Sequence, residues 1–333
     1  MILHPGALAL ITGAVLCFSM TAYAVVLALK IIWHWDISSS SELQLALERR
    51  TYLISTVMNY VMGFEILSLF LYVYTLDSIH VLFVGAMCAT GSLNANPIGW
   101  YVLYTRIAIF FLSATWIAIN YLDGQAEDYP LVKLKYKFLL FIAPMIFLDG
   151  YLEIKYFAGL KPDVITSCCG SLFSDESKKV AGSLAGLPIK PMMYVFYCAA
   201  ATLAALSALS MKVKASIVKY LTSFASILFF PIAIASTISF ISIYYYELPT
   251  HHCPFDILQG TYNYVGYPLF VSLFGGSFFP VASGVAELFG SVPSLREPVG
   301  KAQKRWYVVS IILIAIFVGF SSWPIVFSGF TPF

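Results

Sequence analysis

The sequence predicts an all-α, polytopic transmembrane helical bundle of about eight spans. Hydrophobic residues make up 60% of the 333 residues and charged residues only 11%, which leaves too little polar surface to cover a water-soluble globule. The apolar residues also occur in runs long enough to cross a hydrocarbon core, which takes roughly 20 residues at the helical rise. We therefore expect residues 1–333 to form a single integral membrane domain whose solvent is the lipid bilayer.

Hydropathy along the chain places the predicted spans one after another. The first run contains Ala22-Tyr23-Ala24, the pattern of a signal-peptide cleavage site, but no Lys or Arg precedes it and apolar residues continue to Trp33. We therefore expect this run to be retained as a span. The fifth run is short, whereas the sixth and seventh are long enough to tilt. The predicted spans cover residues 7–33, 51–76, 101–122, 131–157, 191–211, 215–246, 261–289 and 306–328.

The distribution of basic residues predicts the orientation. Eight spans place both termini on the same side, so the connections can be sorted between two faces. Thirteen of the 19 Lys and Arg residues lie on or beside the face that holds connections 34–50, 123–137, 212–219 and 290–305. The positive-inside rule assigns this face to the cytoplasm and both termini to the outer side of a bacterial-type inner membrane. The net charge of +2 gives no indication of nucleic acid binding.

Four of the six cysteines fall in the predicted outer connections. These are Cys88 in the loop 77–100, Cys168 and Cys169 in the loop 158–190, and Cys253 in the loop 247–260. Cysteines in an oxidising compartment are expected to form disulfides. A bond between the adjacent Cys168 and Cys169 would close a strained small ring, so bonds from this pair to Cys88 and Cys253 are sterically easier. The three loops are therefore predicted to form a cysteine-linked cap.

The same cysteines are candidates for catalytic thiol–disulfide exchange. Cys253 precedes Pro254 at the start of a short predicted helix and follows two histidines, a setting that favours the thiolate. The run Cys253-Pro254-Phe255-Asp256 resembles the C-P-x-C active motif of membrane thiol oxidoreductases, with Asp256 in place of the second cysteine. This departure implies that Cys168 or Cys169 would serve as the resolving partner of Cys253, with Cys88 as the fourth member of the group.

Bound metal, haem or quinone is a further expectation for the outer face. His251 and His252 offer imidazole ligands beside the thiols, which suit copper, zinc or iron, although adjacent side chains diverge in regular structure. Neither Cys88 nor Cys253 opens the C-x-x-C-H motif of c-type haem attachment. The segment 79–87 is too short to span and too apolar for a free loop, which places Cys88 near the lipid boundary, where a membrane quinone could meet it.

Ionisable residues inside the predicted spans form a second candidate site. Glu65, Arg106, Asp149 and Glu153 all lie within apolar runs, where ionisable side chains are costly and commonly functional. The helical rise places Glu65 and Arg106 close enough in depth for a buried ion pair. Asp149 and Glu153 are one turn apart and share a helix face near the outer end of the fourth span, where they are expected to bind a cation, to take up protons or to be solvated.

These features predict a redox-linked integral membrane protein. In this hypothesis the outer-face cysteines exchange electrons with an extracytoplasmic redox protein that carries a thiol or haem, and a quinone or another membrane subunit receives them. A transporter or permease subunit is the alternative, with the intramembrane acids lining a pathway and structural disulfides joining the loops. A non-catalytic anchor or assembly subunit for an extracytoplasmic partner is the third. The sequence leaves open whether the protein is an enzyme.

Overall fold

The structure is a computed structural model that describes residues 2–36, 39, 41–161, 164–166 and 180–331. Helices account for all of the regular structure in this part of the chain, and an isolated bridge joins Val84 to Ile165. The α-helices are α1 (Pro5–His34), α2 (Glu42–Ile79), α3 (Ala89–Ala95), α4 (Ile98–Asp123), α5 (Val132–Gly159), α6 (Val180–Ala185), α7 (Ile189–Lys212), α8 (Ser216–Ser236), α9 (Ser242–Tyr246), α10 (Gly266–Glu287) and α11 (Arg296–Phe327).

Two compact units divide the chain. Unit 1 comprises Met1–Thr75, Asn96–Lys161 and Phe289–Gly300, and unit 2 comprises Leu76–Ala95, Pro162–Leu288 and Lys301–Phe333. The single-domain prediction did not anticipate this division, because hydropathy reports where helices form and not which helices pack together.

Unit 1 is built on α1, α2, α4 and α5, with α5 packed along both α1 and α4. Its core contains fully buried apolar residues such as Ile31, Met58 and Trp116. The start of α1 follows from local chemistry: Pro5 occupies the first turn, where it leaves no helical hydrogen bond unmade, and the His4 ring accepts a hydrogen bond from the Gly6 amide.

Unit 2 is built on α7, α8, α10 and the main part of α11. Small polar residues bring these helices close together, as expected where lipid removes the hydrophobic drive for helix association. Ser226 of α8 donates to the Ser277 carbonyl of α10 at 2.7 Å, and Ser310 of α11 donates to the Gly276 carbonyl at 2.7 Å. A Cβ at Gly284 would meet Ser223 Oγ at 2.1 Å, so this approach of α10 to α8 requires glycine.

A π-helical turn lies between α8 and α9. Residues Thr237–Ile241 form this turn, and the Ser242 hydroxyl donates to the Thr237 carbonyl at 2.7 Å. Single π-turns inserted in α-helices are rare and often occur at functional sites. The turn leads through α9 into the loop that carries Cys253.

In the described part of the chain, seven helices are long and apolar enough to cross a membrane, as expected of a helical integral membrane protein. They are Pro5–His34, Glu42–Leu82, Ile98–Asp123, Ile189–Lys212, Ser216–Tyr246, Gly266–Glu287 and Pro293–Phe327. The predicted span 131–157 does form a helix, α5, but its lysines and its two acids, Asp149 and Glu153, are spread along it, so no stretch of α5 is as poor in charge as those of the seven.

The ends of the predicted spans differ from the helices by up to about ten residues. Helix α2 begins at Glu42 and α11 at Arg296, well before the predicted starts at 51 and 306, because polar turns extend both helices beyond their apolar stretches. The predicted start at 261 is too early, since Gly260–Tyr262 forms a 3₁₀ turn and α10 begins at Gly266.

Candidate functional site

The segment before Cys88 is fixed by backbone contacts within unit 2. A 3₁₀ turn at His80–Leu82 ends α2, and the Thr166 amide then donates to the Val84 carbonyl at 3.0 Å. Gly85 has a φ of +84°, and a Cβ there would lie 2.7 Å from the Thr166 carbonyl oxygen. Glycine is thus required for this turn, which delivers Cys88 to the position just before α3.

The loop that carries Cys253 is held by Tyr246, the last residue of α9. The Tyr246 hydroxyl donates to the Cys253 carbonyl at 2.5 Å and accepts a hydrogen bond from the Ile257 amide at 3.0 Å. The helix predicted after Cys253 is only the 3₁₀ turn Asp256–Leu258, too short for a substantial helix dipole. Any stabilisation of a Cys253 thiolate must therefore come from individual donors.

Cys88 and Cys253 meet inside unit 2. Their sulfur atoms lie 3.6 Å apart, and both side chains are 0% exposed. The Phe255 amide donates to Cys253 Sγ at 3.4 Å, and the Thr90 hydroxyl lies 3.4 Å from the same sulfur. The Phe255 amide and the Thr90 hydroxyl are thus two neutral groups at hydrogen-bonding distance from the Cys253 sulfur.

Asp256 brings a carboxyl group to the two sulfurs. A carboxyl oxygen of Asp256 and the two Sγ atoms all lie within 4.8 Å of one another. Asp256 Oδ2 accepts a hydrogen bond from His251 Nε2, whereas Oδ1 is buried without a hydrogen-bond partner among the described residues. Burial and the nearby Asp256 carboxylate raise the pKa of the Tyr262 hydroxyl.

The two histidines do not converge. His251 contacts Asp256, whereas His252 donates from Nδ1 to the Ile238 carbonyl at 2.9 Å, within the π-helical turn. The hypothesis that His251 and His252 bind one metal ion therefore receives no support from their geometry. Their side chains diverge, as expected for adjacent residues.

Cys168 and Cys169 lie outside the described residues, so the predicted cysteine-linked cap stays a prediction. Within the described part of the chain, no disulfide joins Cys17, Cys88, Cys198 and Cys253 to one another. A polar link does join two of the cap loops, because Gln259 donates to Asp77 Oδ1 at 3.2 Å and to the Met87 carbonyl at 2.7 Å.

The intramembrane group of unit 1 pairs differently from the prediction. Arg106 Nη2 lies 2.8 Å from Glu153 Oε2 and 3.3 Å from Asp149 Oδ2. The predicted pair of Arg106 with Glu65 is wrong, because depth along two helices does not say which side chains face each other. Asp149 and Glu153 are buried and not solvated, and Glu65 lies within hydrogen-bonding reach of the Cys17 thiol.

Two further polar clusters were not anticipated. In unit 1, Lys135 donates to Asp123 Oδ2 at 2.7 Å and to Asn120 Oδ1 at 3.0 Å. This cluster borders a cavity of about 540 Å³. In unit 2, Lys219 donates to Glu287 Oε2 at 2.7 Å. Sequence reasoning counted both lysines as cytoplasmic charges, and only the packing of their helices reveals their partners.

The comparisons with protein families, curated proteins and solved structures found no match for this chain. The geometry of the Cys88–Cys253 pair and of the Arg106 cluster is therefore the basis for any functional conclusion.

Proposed function

We propose that this integral membrane protein carries electrons through the Cys88–Cys253 pair, which alternates between a dithiol and a disulfide. The observation that supports the proposal is the 3.6 Å separation of two fully buried sulfurs. A disulfide requires the sulfurs to approach to about 2.05 Å. Two sulfurs at the observed separation are therefore a short side-chain movement away from the bonded form.

The chemistry assigns different roles to the two cysteines. Cys253, with the Phe255 amide and the Thr90 hydroxyl at its sulfur, is the nucleophilic thiolate, and Cys88 is the resolving partner. Formation of the Cys88–Cys253 disulfide releases two electrons and two protons. A membrane quinone takes up both and becomes the quinol. Alternatively, the disulfide of an extracytoplasmic redox protein takes them up and becomes two thiols.

Asp256 is placed to accept a proton from the pair. Its Oδ1 is free of hydrogen bonds within the described chain, and its carboxyl group lies within 4.8 Å of both sulfurs. Proton transfer to a positioned base typically contributes about 10²-fold to 10⁴-fold to a rate. His251, hydrogen-bonded to the other oxygen, holds the carboxylate in position.

The proposed topology has eight crossings, with α5 as the eighth and both termini outside a bacterial-type inner membrane. The positive-inside distribution supports it, and the ion pairs of Arg106 with Asp149 and Glu153 reduce the cost of placing α5 in lipid. Reporter fusions after residues 127 and 213 should both be cytoplasmic, and a fusion after residue 162 should be external. A cytoplasmic fusion at 162 would contradict the eight-span topology.

The decisive experiment maps the thiols in native membranes. Treatment with an oxidised quinone analogue should produce a peptide linked through Cys88 and Cys253, detected by mass spectrometry, and dithiothreitol should reverse the link. The variants Cys88→Ser and Cys253→Ser should each lose it, whereas Cys198→Ser, which removes an exposed thiol of α7, should retain it.

Two outcomes would contradict the proposal. One is a pair that remains two thiols under every oxidant that converts other membrane thiols. The other is a linked peptide that joins Cys88 or Cys253 only to Cys168 or Cys169, which would make the observed sulfur contact incidental. Cys168→Ser and Cys169→Ser, tested singly, show whether these two residues relay the disulfide to a partner.

A second candidate function is binding of a soft metal ion by Cys88, Cys253 and Asp256. Two thiolates on one tetrahedral zinc ion, at about 2.3 Å each, lie about 3.8 Å apart, close to the observed separation of 3.6 Å. The unpartnered Asp256 Oδ1 would supply the third ligand. Elemental analysis of purified protein separates the candidates: stoichiometric metal that Cys253→Ser abolishes favours this second function.

A further inference from the structure

A buried cluster in unit 1 contains three acids and a single base. Glu65 of α2, Arg106 of α4, and Asp149 and Glu153 of α5 are 4%, 2%, 3% and 0% exposed, respectively. All four residues lie within helices that the proposed topology places in lipid. The cluster contains neither Cys88 nor Cys253, so an inference about it does not depend on thiol oxidation.

Both terminal nitrogens of the single guanidinium are engaged. Its Nη2 contacts the carboxyl groups of Glu153 and Asp149, and its Nη1 donates to the Ser68 carbonyl at 2.8 Å. The guanidinium carbon also lies 5.0 Å from the centre of the Tyr72 ring, a cation–π contact. Arg106 Nε remains without a hydrogen-bond partner in the described chain, and no ion pair joins Arg106 to Glu65.

Several acceptor atoms in the cluster are unsatisfied. Asp149 Oδ1 and both oxygens of Glu153 have no hydrogen bond of regular geometry within the described chain, although Glu153 Oε2 is in ion-pair contact with Arg106. Buried carboxylate oxygens normally have hydrogen-bond partners. These open atoms, on side chains more than nine-tenths buried, point to a ligand that supplies hydrogen-bond donors or positive charge.

The charge count identifies that ligand. With all three acids ionised, the cluster would carry a net charge of −2 in a low-dielectric interior, where an uncompensated carboxylate normally becomes neutral. The other titratable side chains that face the cluster are uncharged at neutral pH: Cys17 of α1, Tyr72 of α2 and Tyr156 of α5. The guanidinium already contacts an oxygen of each of two carboxyl groups, Asp149 and Glu153. A proton needs only one carboxylate oxygen, whereas a metal cation needs several oxygen ligands arranged around it.

We propose that this cluster is an intramembrane proton-binding site. Glu65, which lacks an ion pair with Arg106, holds one proton as a carboxylic acid. Asp149 and Glu153 share a second proton across the guanidinium, which makes the cluster neutral. A neutral cluster of this kind can exchange protons with its surroundings when the charge nearby changes.

Infrared spectroscopy of the protein in lipid vesicles tests the site directly. A protonated carboxyl group has a carbonyl stretching band that a carboxylate lacks. At neutral pH the wild-type protein should show this band, and the band should shift in frequency when the protein is transferred to deuterium oxide. Glu65→Gln should remove one component of the band. Glu153→Gln should remove another component. The control Glu287→Gln, which alters the acid paired with Lys219, should leave the band unchanged.

Isotope labelling of the wild-type protein tests the site even if the variants do not fold. In wild-type protein made with ¹³C-labelled glutamate, the main component of the band should shift to lower frequency. Absence of any protonated-carboxyl band at neutral pH would overturn the proposal. So would a band that only ¹³C-aspartate shifts, because Glu65 would then be ionised. Loss of the band on addition of sodium ions at constant pH would show that the ligand is a cation and would also overturn it.

Discussion

Asp256 and His251 share a hydrogen bond that fixes one carboxyl oxygen and leaves the other buried near the sulfurs of Cys88 and Cys253. The oxygen that remains without a hydrogen bond is within reach of the sulfurs, as a general base must be. The relationship is specified by six consecutive residues, 251–256, because the 3₁₀ turn at Asp256–Leu258 folds the carboxyl group back toward Cys253. Asp256 thus occupies the place of the second cysteine in a C-P-x-C motif and, in the proposed function, supplies a base instead of a thiol.

Asp256→Asn should slow oxidation of the Cys88–Cys253 pair by about 10²-fold, the lower end of the range for loss of a positioned base. The amide retains the shape of the side chain but cannot accept the thiol proton. The oxidation is stopped at set times, the remaining thiols are alkylated, and mass spectrometry then gives the oxidation rate at several pH values. Glu247→Gln, a change at an exposed acid in the same loop, is the matched control and should react at the wild-type rate. Equal rates for Asp256→Asn and wild type would exclude Asp256 as the base.

Tyr246→Phe should open the Cys253 loop. The change removes the hydroxyl group that bonds both the Cys253 carbonyl and the Ile257 amide, and leaves two buried backbone groups unpaired. Such a loss costs about 1–3 kcal/mol. Alkylation of the buried Cys253 thiol should therefore accelerate by about tenfold or more if it requires local opening.

The control for this change is Tyr262→Phe, because Tyr262 packs its ring against Tyr246 with centroids 4.9 Å apart. Removing the Tyr262 hydroxyl keeps this ring contact, so alkylation should stay near the wild-type rate. If both variants accelerate alkylation equally, aromatic packing and not the Tyr246 hydroxyl holds the loop.

Gly85→Ala should disturb the turn that positions Cys88. The added Cβ would face the Thr166 carbonyl oxygen at 2.7 Å, and a φ of +84° is strained for alanine. We expect a loss of about 1–3 kcal/mol in stability and a lower yield of the Cys88–Cys253 linked peptide. In Gly63→Ala the new methyl group has no heavy atom within 4 Å, so stability and yield should not fall. An unchanged yield in Gly85→Ala would show that Cys88 reaches Cys253 without this turn.

Much of the helical fold could be predicted from composition and hydropathy. All eight predicted spans coincide with helices, since a run of apolar residues in lipid has few alternatives to a helix that satisfies its own backbone. The helix ends were less predictable. The first turns of α2 and α11 are polar, and hydropathy cannot distinguish a polar helical turn from a loop.

The candidate sites were predictable as residue sets but not as contacts. The sequence singled out Cys88, Cys253 and Asp256, yet their convergence depends on Tyr246 and on the turn at Gly85. It also singled out all four members of the Arg106 cluster and still assigned the wrong acid to the arginine. Which acid pairs with the arginine depends on how each helix is rotated about its own axis. A membrane helix that is apolar nearly all round gives little indication of this rotation.

The Lys135–Asp123 pair, which sequence reasoning missed, provides a stability test in unit 1. Lys135 is 3% exposed and Asp123 is 0% exposed, and their side chains are 2.7 Å apart. Removing one partner of a buried pair leaves an uncompensated charge and typically costs about 3–5 kcal/mol. Asp123→Asn should therefore strongly lower the free energy of unfolding, measured by reversible unfolding in a denaturing detergent. Its amide oxygen can still accept the Leu131 amide hydrogen bond that Asp123 Oδ1 receives at 2.8 Å, so the change isolates the charge.

The double variant Asp123→Asn, Lys135→Met should recover most of the stability that Asp123→Asn loses, because replacing both charges removes the uncompensated ammonium group as well. Lys133→Met, at an exposed position two residues before Lys135, is the matched control and should not rescue Asp123→Asn. Additive losses in the double variant would indicate that the two side chains stabilise the fold separately, through Asn120 and the Leu131 amide, and not as an ion pair.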